Sequence, residues 1–150
     1  MLDLRILVSD MTPTETVTIS HVAELLAHNG YDVTPSESGV LTVRELHSGI
    51  TFQAALEGGV VYMTMSLMTV PERDITPAMM RKMLSGHNGI STSGFRLYET
   101  NDGRVRVTLN NFCKVLDMGP EDHDDILGLA GYLLADAVEA RDILQPAAAA

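Results

Sequence analysis

The apolar positions along the chain follow two rhythms. Over residues 17–29, Ile19, Val22, Leu25 and Leu26 recur at helical spacing, which predicts an amphipathic helix. Thr16 or Thr18 is placed to cap its first amides. Asn29-Gly30 is placed to stop it, because glycine accepts the left-handed conformation that closes a helix. The rhythm then changes to alternation. Val40–Leu46, Ile50–Leu56 and Val60–Met68 read as three strands joined by short turns at His47-Ser48-Gly49 and Glu57-Gly58-Gly59. Ile50, Phe52, Ala54 and Leu56 share one face of the second strand. On the third, Val61, Met63, Met65 and Leu67 face away from Tyr62, Thr64 and Ser66. Each strand is therefore expected to have one dry and one wetter side.

Pro71 ends this stretch. Thr76 as N-cap with Pro77 at the first helical position opens a second helix, running to about Leu84. Its apolar side holds Met79, Met80, Met83 and Leu84. A hairpin follows. Phe95 and Leu97 lead into Asp102-Gly103, a tight-turn pair, after which Val105, Val107 and Leu109 alternate with Arg104, Arg106 and Thr108. The last helix starts at Gly119-Pro120, with acids in its first turns, where the positive end of the helix dipole favours them. Ile126, Leu129, Ala130, Leu133, Leu134, Ala137 and Val138 recur at helical spacing, and Gln145-Pro146 is expected to end it. The fold class read from this order is α+β: helix, three antiparallel strands, helix, two-strand hairpin, long C-terminal helix. A single domain over 1–150 is expected, with 145–150 as a frayed tail. Residues 1–15 are left open between an edge strand, a short helix and a swapped arm.

The 150 residues, 45% hydrophobic and 20% charged, have the make-up of a folded protein. The formal net charge is −10 and is unevenly spread: −5 over residues 1–40, +2 over 41–116 and −7 over 117–150. Such a balance argues against nucleic acid as a direct partner, since phosphate contacts need Lys and Arg. The single cysteine, Cys113, excludes an internal disulfide framework. No apolar run approaches membrane-span length, and the acidic start lacks a basic leader region, so a cytoplasmic protein without membrane contact is expected.

The pattern resembles two related bacterial groups, the YbjN family and the class I chaperones of type III secretion. The matching pieces are Leu25-Leu26-Ala27-His28-Asn29-Gly30-Tyr31, the Gly49-Ile50-Thr51-Phe52 strand, Ser93-Gly94-Phe95-Arg96-Leu97 before the Asp102-Gly103 turn, and the acidic helix from Pro120. Residues 16–144 are covered. The resemblance implies a sheet of about five strands with three helices, a homodimer, and binding of a protein partner in place of catalysis.

Candidate chemistry is sparse. His21, Glu24 and His28 share one helix face, but a solvated polar face explains them better than a metal site. His123-Asp124-Asp125 reads as helix-start acids. Cys113 lacks the positive surroundings of a nucleophile, and no phosphate loop, nucleophile elbow or dinucleotide fingerprint occurs. No catalytic residue, metal or cofactor is expected. The unusual feature is methionine. Met63, Met65 and Met68, then Met79, Met80 and Met83, form two clusters that fit either a core or an adaptable apolar surface. With Phe52 and the small residues Gly128, Gly131 and Ala135 of the last helix, they are the expected partner or dimer interface. Arg96, Arg104 and Arg106 are expected either to meet acids of the last helix or of a second subunit, or to form a solvated basic face.

The expected activity is a chaperone or adaptor that holds an extended segment of a partner, either a secreted substrate or a resident protein. The alternatives are a YbjN-like regulatory module acting on a signalling or repair protein, a metal- or thiol-dependent enzyme resting on His21, His28 or Cys113, and a purely structural dimer.

Overall fold

Burial sorts the alternating residues onto one dry and one wet side of a single sheet. The computed structural model describes residues 16–148; the alternatives raised for 1–15 lie outside them. The fold is α+β. Helix α1 (Ile19–Ala27) leads into strands β1 (Tyr31–Pro35), β2 (Leu41–Glu45), β3 (Thr51–Glu57) and β4 (Val60–Pro71). A 3-10 turn at Glu72–Asp74 and helix α2 (Pro77–Leu84) precede the hairpin of β5 (Gly94–Glu99) and β6 (Arg104–Lys114). Helix α3 (Pro120–Ala148) completes the chain. The strands form one antiparallel sheet in the order β1-β2-β3-β4-β6-β5.

The caps form as their chemistry dictates. The Thr18 hydroxyl accepts from the His21 amide, and the His21 ring answers by accepting from the Thr18 amide. The Thr76 hydroxyl accepts from the Met79 amide at 3.1 Å, with Pro77 at the helix start.

The dry face of the sheet carries Leu41, Val43, Phe52, Ala54, Val61, Met63, Met65 and Leu109. It is covered by Val22 and Leu26 of α1 and by Ile126, Ala130, Leu133 and Ala137 of α3. Helices, and not a second subunit, thus bury the face that bears Phe52 and Met63. A second, smaller core joins Met79 and Met83 of α2 to Ile75, Val107 and Leu144.

The structure departs from the expected order in four places. The sheet has six strands, not five, because Tyr31–Pro35 adds an edge strand beside β2. Its Tyr31 ring packs edge-on against Phe52, with centroids 6.0 Å apart, and Pro35, lacking an N–H, is tolerated at a sheet edge. Strand β4 continues past Met68 to Pro71. The register shifts between Ser66 and Met68, so Met68 and Val70, rather than residues in step with Leu67, align with Val107 and Val105. Such a bulge restarts the alternation and bends the strand. Thr108 is buried although it lies in step with the exposed Arg104 and Arg106; the Asn110 amide donates to its hydroxyl at 2.8 Å. The α3 backbone stays helical to Ala148, one turn beyond Gln145, in keeping with the helix preference of alanine.

Phe52, 1% exposed, is the largest fully buried side chain among the described residues. Phe52→Ala is expected to lower the unfolding free energy by about 3–5 kcal/mol, read by urea titration.

Candidate partner-binding surfaces

Two buried carboxylates set the loops that frame the sheet. Asp122, in the first turn of α3, accepts with Oδ2 from the backbone amides of Leu116 (2.8 Å), Asp117 (2.9 Å) and Met118 (2.8 Å). These bonds hold the connection from β6 tightly enough that Met118 takes a φ of 58°. Asp136, midway along α3, accepts from the Ser91 amide (2.8 Å) and hydroxyl (2.9 Å) with Oδ1, and from the Ser93 amide (3.1 Å) with Oδ2. Asn111 of β6 continues the network by donating to Thr92 Oγ1 at 2.7 Å. The loop entering β5 is thereby pinned between α3 and the sheet. Burial works against the charge on both carboxyls. The donated hydrogen bonds outweigh it and hold both below the usual carboxylate range.

The expected interface residues separate into distinct environments. Phe52, Met63, Met65, Met79 and Met83 are core residues of the single chain. Met68 is half-buried beside the second core. Met80 is exposed, because residues 79 and 83 share one side of α2 and residues 80 and 84 lie on the next stripe. On α3, Gly128 is half-buried and Gly131 and Ala135 are exposed. Among the described residues, a Cβ built at Gly128 or Gly131 would meet nothing within 4 Å, so no close approach of these calls for glycine there.

Met80 belongs to the first of two candidate surfaces. It lines a cavity of about 210 Å³ with Ile75, Leu97 and Val105, with Glu72 and Glu99 at its polar side. This pocket adjoins β5, which pairs only with β6 and so leaves its other edge without a strand among the described residues. Leu84, 82% exposed, extends the apolar surface.

The second surface is the wet face of the sheet, over which no described helix packs. Tyr62 of β4 lies opposite Phe112 of β6, with centroids 6.2 Å apart; Phe112 is 63% exposed. Beside them the Thr64 hydroxyl donates to Asn110 Oδ1 at 3.0 Å. These residues, with Gly94 and Arg96 of β5, line a cavity of about 230 Å³. The arginines of this face do not meet α3, which lies on the other side of the sheet. Arg104 pairs with Asp102 of its own turn at 2.8 Å. Arg96 and Arg106 have no carboxylate within 4.0 Å among the described residues.

The chemical candidates resolve differently. Burial, then the charges of Asp125 and Asp122, push the Cys113 thiol up from 9.0 to about 11. Its thiolate fraction at neutral pH is then lower by about a hundredfold, the reverse of what a nucleophile needs. His21, Glu24 and His28 line an open groove with Asp117 and His123. Among the described residues no three His, Cys, Asp or Glu side chains are grouped as metal ligands. No described helix is long and apolar enough to cross a membrane.

The fold is similar to that of YbjN. The crystal structure of YbjN from E. coli, described as a candidate transcription regulator, superposes with a TM-score of 0.64 over 86% of this chain and 94% of that chain, at 12% sequence identity. No protein-family model and no curated protein matches the sequence. The YbjN-like fold accounts for the helix-sheet-helix order and the long closing helix. Sequence reasoning missed β1, whose five residues are too short to show a period. It also missed Asp122 and Asp136, whose acidic spacing on α3 looks like any solvated helix.

Both carboxyls are depressed in the folded chain, so the unfolded chain binds more protons in acid. Their contribution is present above the ordinary carboxylate range and is lost as pH falls through and below it. Asp136→Ala is expected to cost about 1–3 kcal/mol at neutral pH and to flatten the acid side of the stability profile. Denaturant titrations across pH check both effects. Gly131→Ala is expected to stabilise the chain by up to about 1 kcal/mol; a lower melting temperature would show that the helix needs glycine at this site.

Proposed function

We propose that the chain is a non-catalytic protein-binding module, a cytoplasmic chaperone or adaptor that holds an extended segment of a partner against β5. The observation that carries this reading is the conjunction of an unpaired strand edge with an apolar pocket beside it. Strand addition supplies main-chain hydrogen bonds, and a pocket for alternate side chains supplies selectivity. Here the edge is Gly94–Glu99 and the pocket is that of Ile75, Met80, Leu97 and Val105. Methionine at its rim suits varied apolar side chains, because its thioether stem is flexible and polarizable. The network of Asp136, Ser91 and Ser93 keeps the start of the edge strand in place before anything binds.

The YbjN-like fold supports a regulatory use of the same surface, with a resident protein as the partner. The secretion-chaperone use, with an exported substrate, rests on the sequence resemblance. A homodimer belongs to the same reading, with the exposed Gly131, Tyr132 and Val138 of α3 as the face available to a second copy.

A photo-crosslinking residue placed at Leu97 is expected to capture a discrete partner from the native lysate, whereas one placed at Val138 captures none or only a second copy. Met80→Glu is expected to reduce the Leu97 crosslink by about tenfold while leaving the melting temperature within a degree or so, since an exposed site contributes little to stability. Equal capture from both positions would defeat the reading.

A further inference from the structure

At β4, β6 and β5 the wet face of the sheet is basic, with the wet-face acids Asp32 and Glu57 lying on β1 and β3, while the exposed side of the closing helix is acidic. Strands β4 and β6 contain no acidic residue. The acid of β5, Glu99, aligns with the inward Val105 and so belongs to the other face. The wet face at β5 and β6 therefore presents Arg96, Arg104, Arg106 and Lys114. Asp102 answers Arg104 alone. Helix α3, behind the sheet, carries Glu121, Asp124, Asp125, Glu139 and Asp142, all exposed. Among the described residues, Arg96 and Arg106 have no carboxylate within 4.0 Å, on a chain of net charge −10.

We infer that the wet face at β4, β6 and β5 is a docking surface for an acidic extended segment of another protein, laid over the face along β6 and separate from the β5 edge. The geometry fixes what that segment looks like. Arg106 aligns with Tyr98, and Arg96 with Thr108, so the two guanidinium groups start from diagonal neighbours about 7–8 Å apart. They receive two nearby carboxylates. Along β6, Phe112 lies six positions from Arg106, about 20 Å at the rise of a strand. An apolar side chain roughly six residues from the carboxylates reaches the Tyr62–Phe112 pair and the cavity at its side. Between them the floor is polar and already ordered. Thr64 donates to Asn110, and Asn110 donates to Thr108, so their orientation is set before binding.

Charge also selects against the other occupants. A second copy meeting this face with its own would set arginines against arginines, which is unfavourable. A nucleic-acid strand calls for a run of phosphate contacts. The face offers only scattered cations, interrupted by Thr64, Thr108 and Asn110, on a chain that is strongly anionic elsewhere.

The test uses a fluorescein-labelled octapeptide with two glutamates near one end and a phenylalanine near the other. Its binding to the full chain is followed by anisotropy at low and high ionic strength. Binding is expected at low salt, with a loss of about tenfold for each of Arg96→Glu and Arg106→Glu. Tyr62→Ser is expected to weaken it several-fold, and Met80→Glu to leave it unchanged. All four positions are exposed, so unchanged melting curves confirm that folding is not the cause. The inference is overturned if the peptide does not bind, or if a lysine-for-glutamate version binds equally well. It is likewise overturned if a single-stranded oligonucleotide binds more tightly than the peptide and loses affinity in the arginine variants, which would assign the face to nucleic acid. A loss in Met80→Glu alone would return the peptide to the β5 edge and leave the wet face without an occupant.

Discussion

The constraint on which the rest of this structure depends is that one helical layer covers one side of a six-stranded sheet. A strand shows its side chains alternately up and down, so each of the strands divides its residues between a dry side and a wet one. The dry side is paid for by hydrophobic burial under α1 and α3. The wet side, Thr108 apart, is largely exposed, so its composition is less constrained by packing. Aromatic and basic side chains, among them Tyr62, Phe112, Arg96 and Arg106, stand exposed there.

The buried carboxylates show how such a layer is kept in register with its sheet. Asp122 and Asp136 lie on the same helix, and each reaches out of it to gather the amides of a neighbouring loop. One fixes how the chain enters α3; the other fixes how it enters β5. Together they fix the start of α3 and the loop that leads into the β5 edge in one shape.

Much of the fold was legible because long elements repeat their signal. Alternation over β3 and the helical period of α3 each recur enough times to outweigh any single exception. Short or irregular features were not legible. Five residues from Tyr31 to Pro35 hold only two inward side chains, and what makes them a strand is contact with Phe52 and β2, which are distant in sequence. The shift between Ser66 and Met68 left no mark, since a bulge adds a residue without changing composition. The methionine clusters were visible as clusters, but their division was not. Met79 and Met80 are adjacent in sequence and differ only in which neighbour each helix stripe meets. For the candidate surfaces, the arginines were recognisable as sharing a strand face. The side of the sheet on which α3 would lie, and hence their lack of carboxylate partners, required the tertiary arrangement.

The separation of charge between the two layers has a consequence at distances where no contact exists. With acids on the outer side of α3 and the bases of β5 and β6 on the wet face, this part of the molecule carries a local charge dipole directed roughly through the sheet. A charged body approaching within about a Debye length, some 8–10 Å at ordinary salt, exerts a torque on such a dipole before touching it. An anionic partner therefore turns the basic side toward itself, and a cationic one turns the helical side. The orientation of each encounter is settled in solution, ahead of any fit between surfaces, and fades as salt shortens the reach of the field.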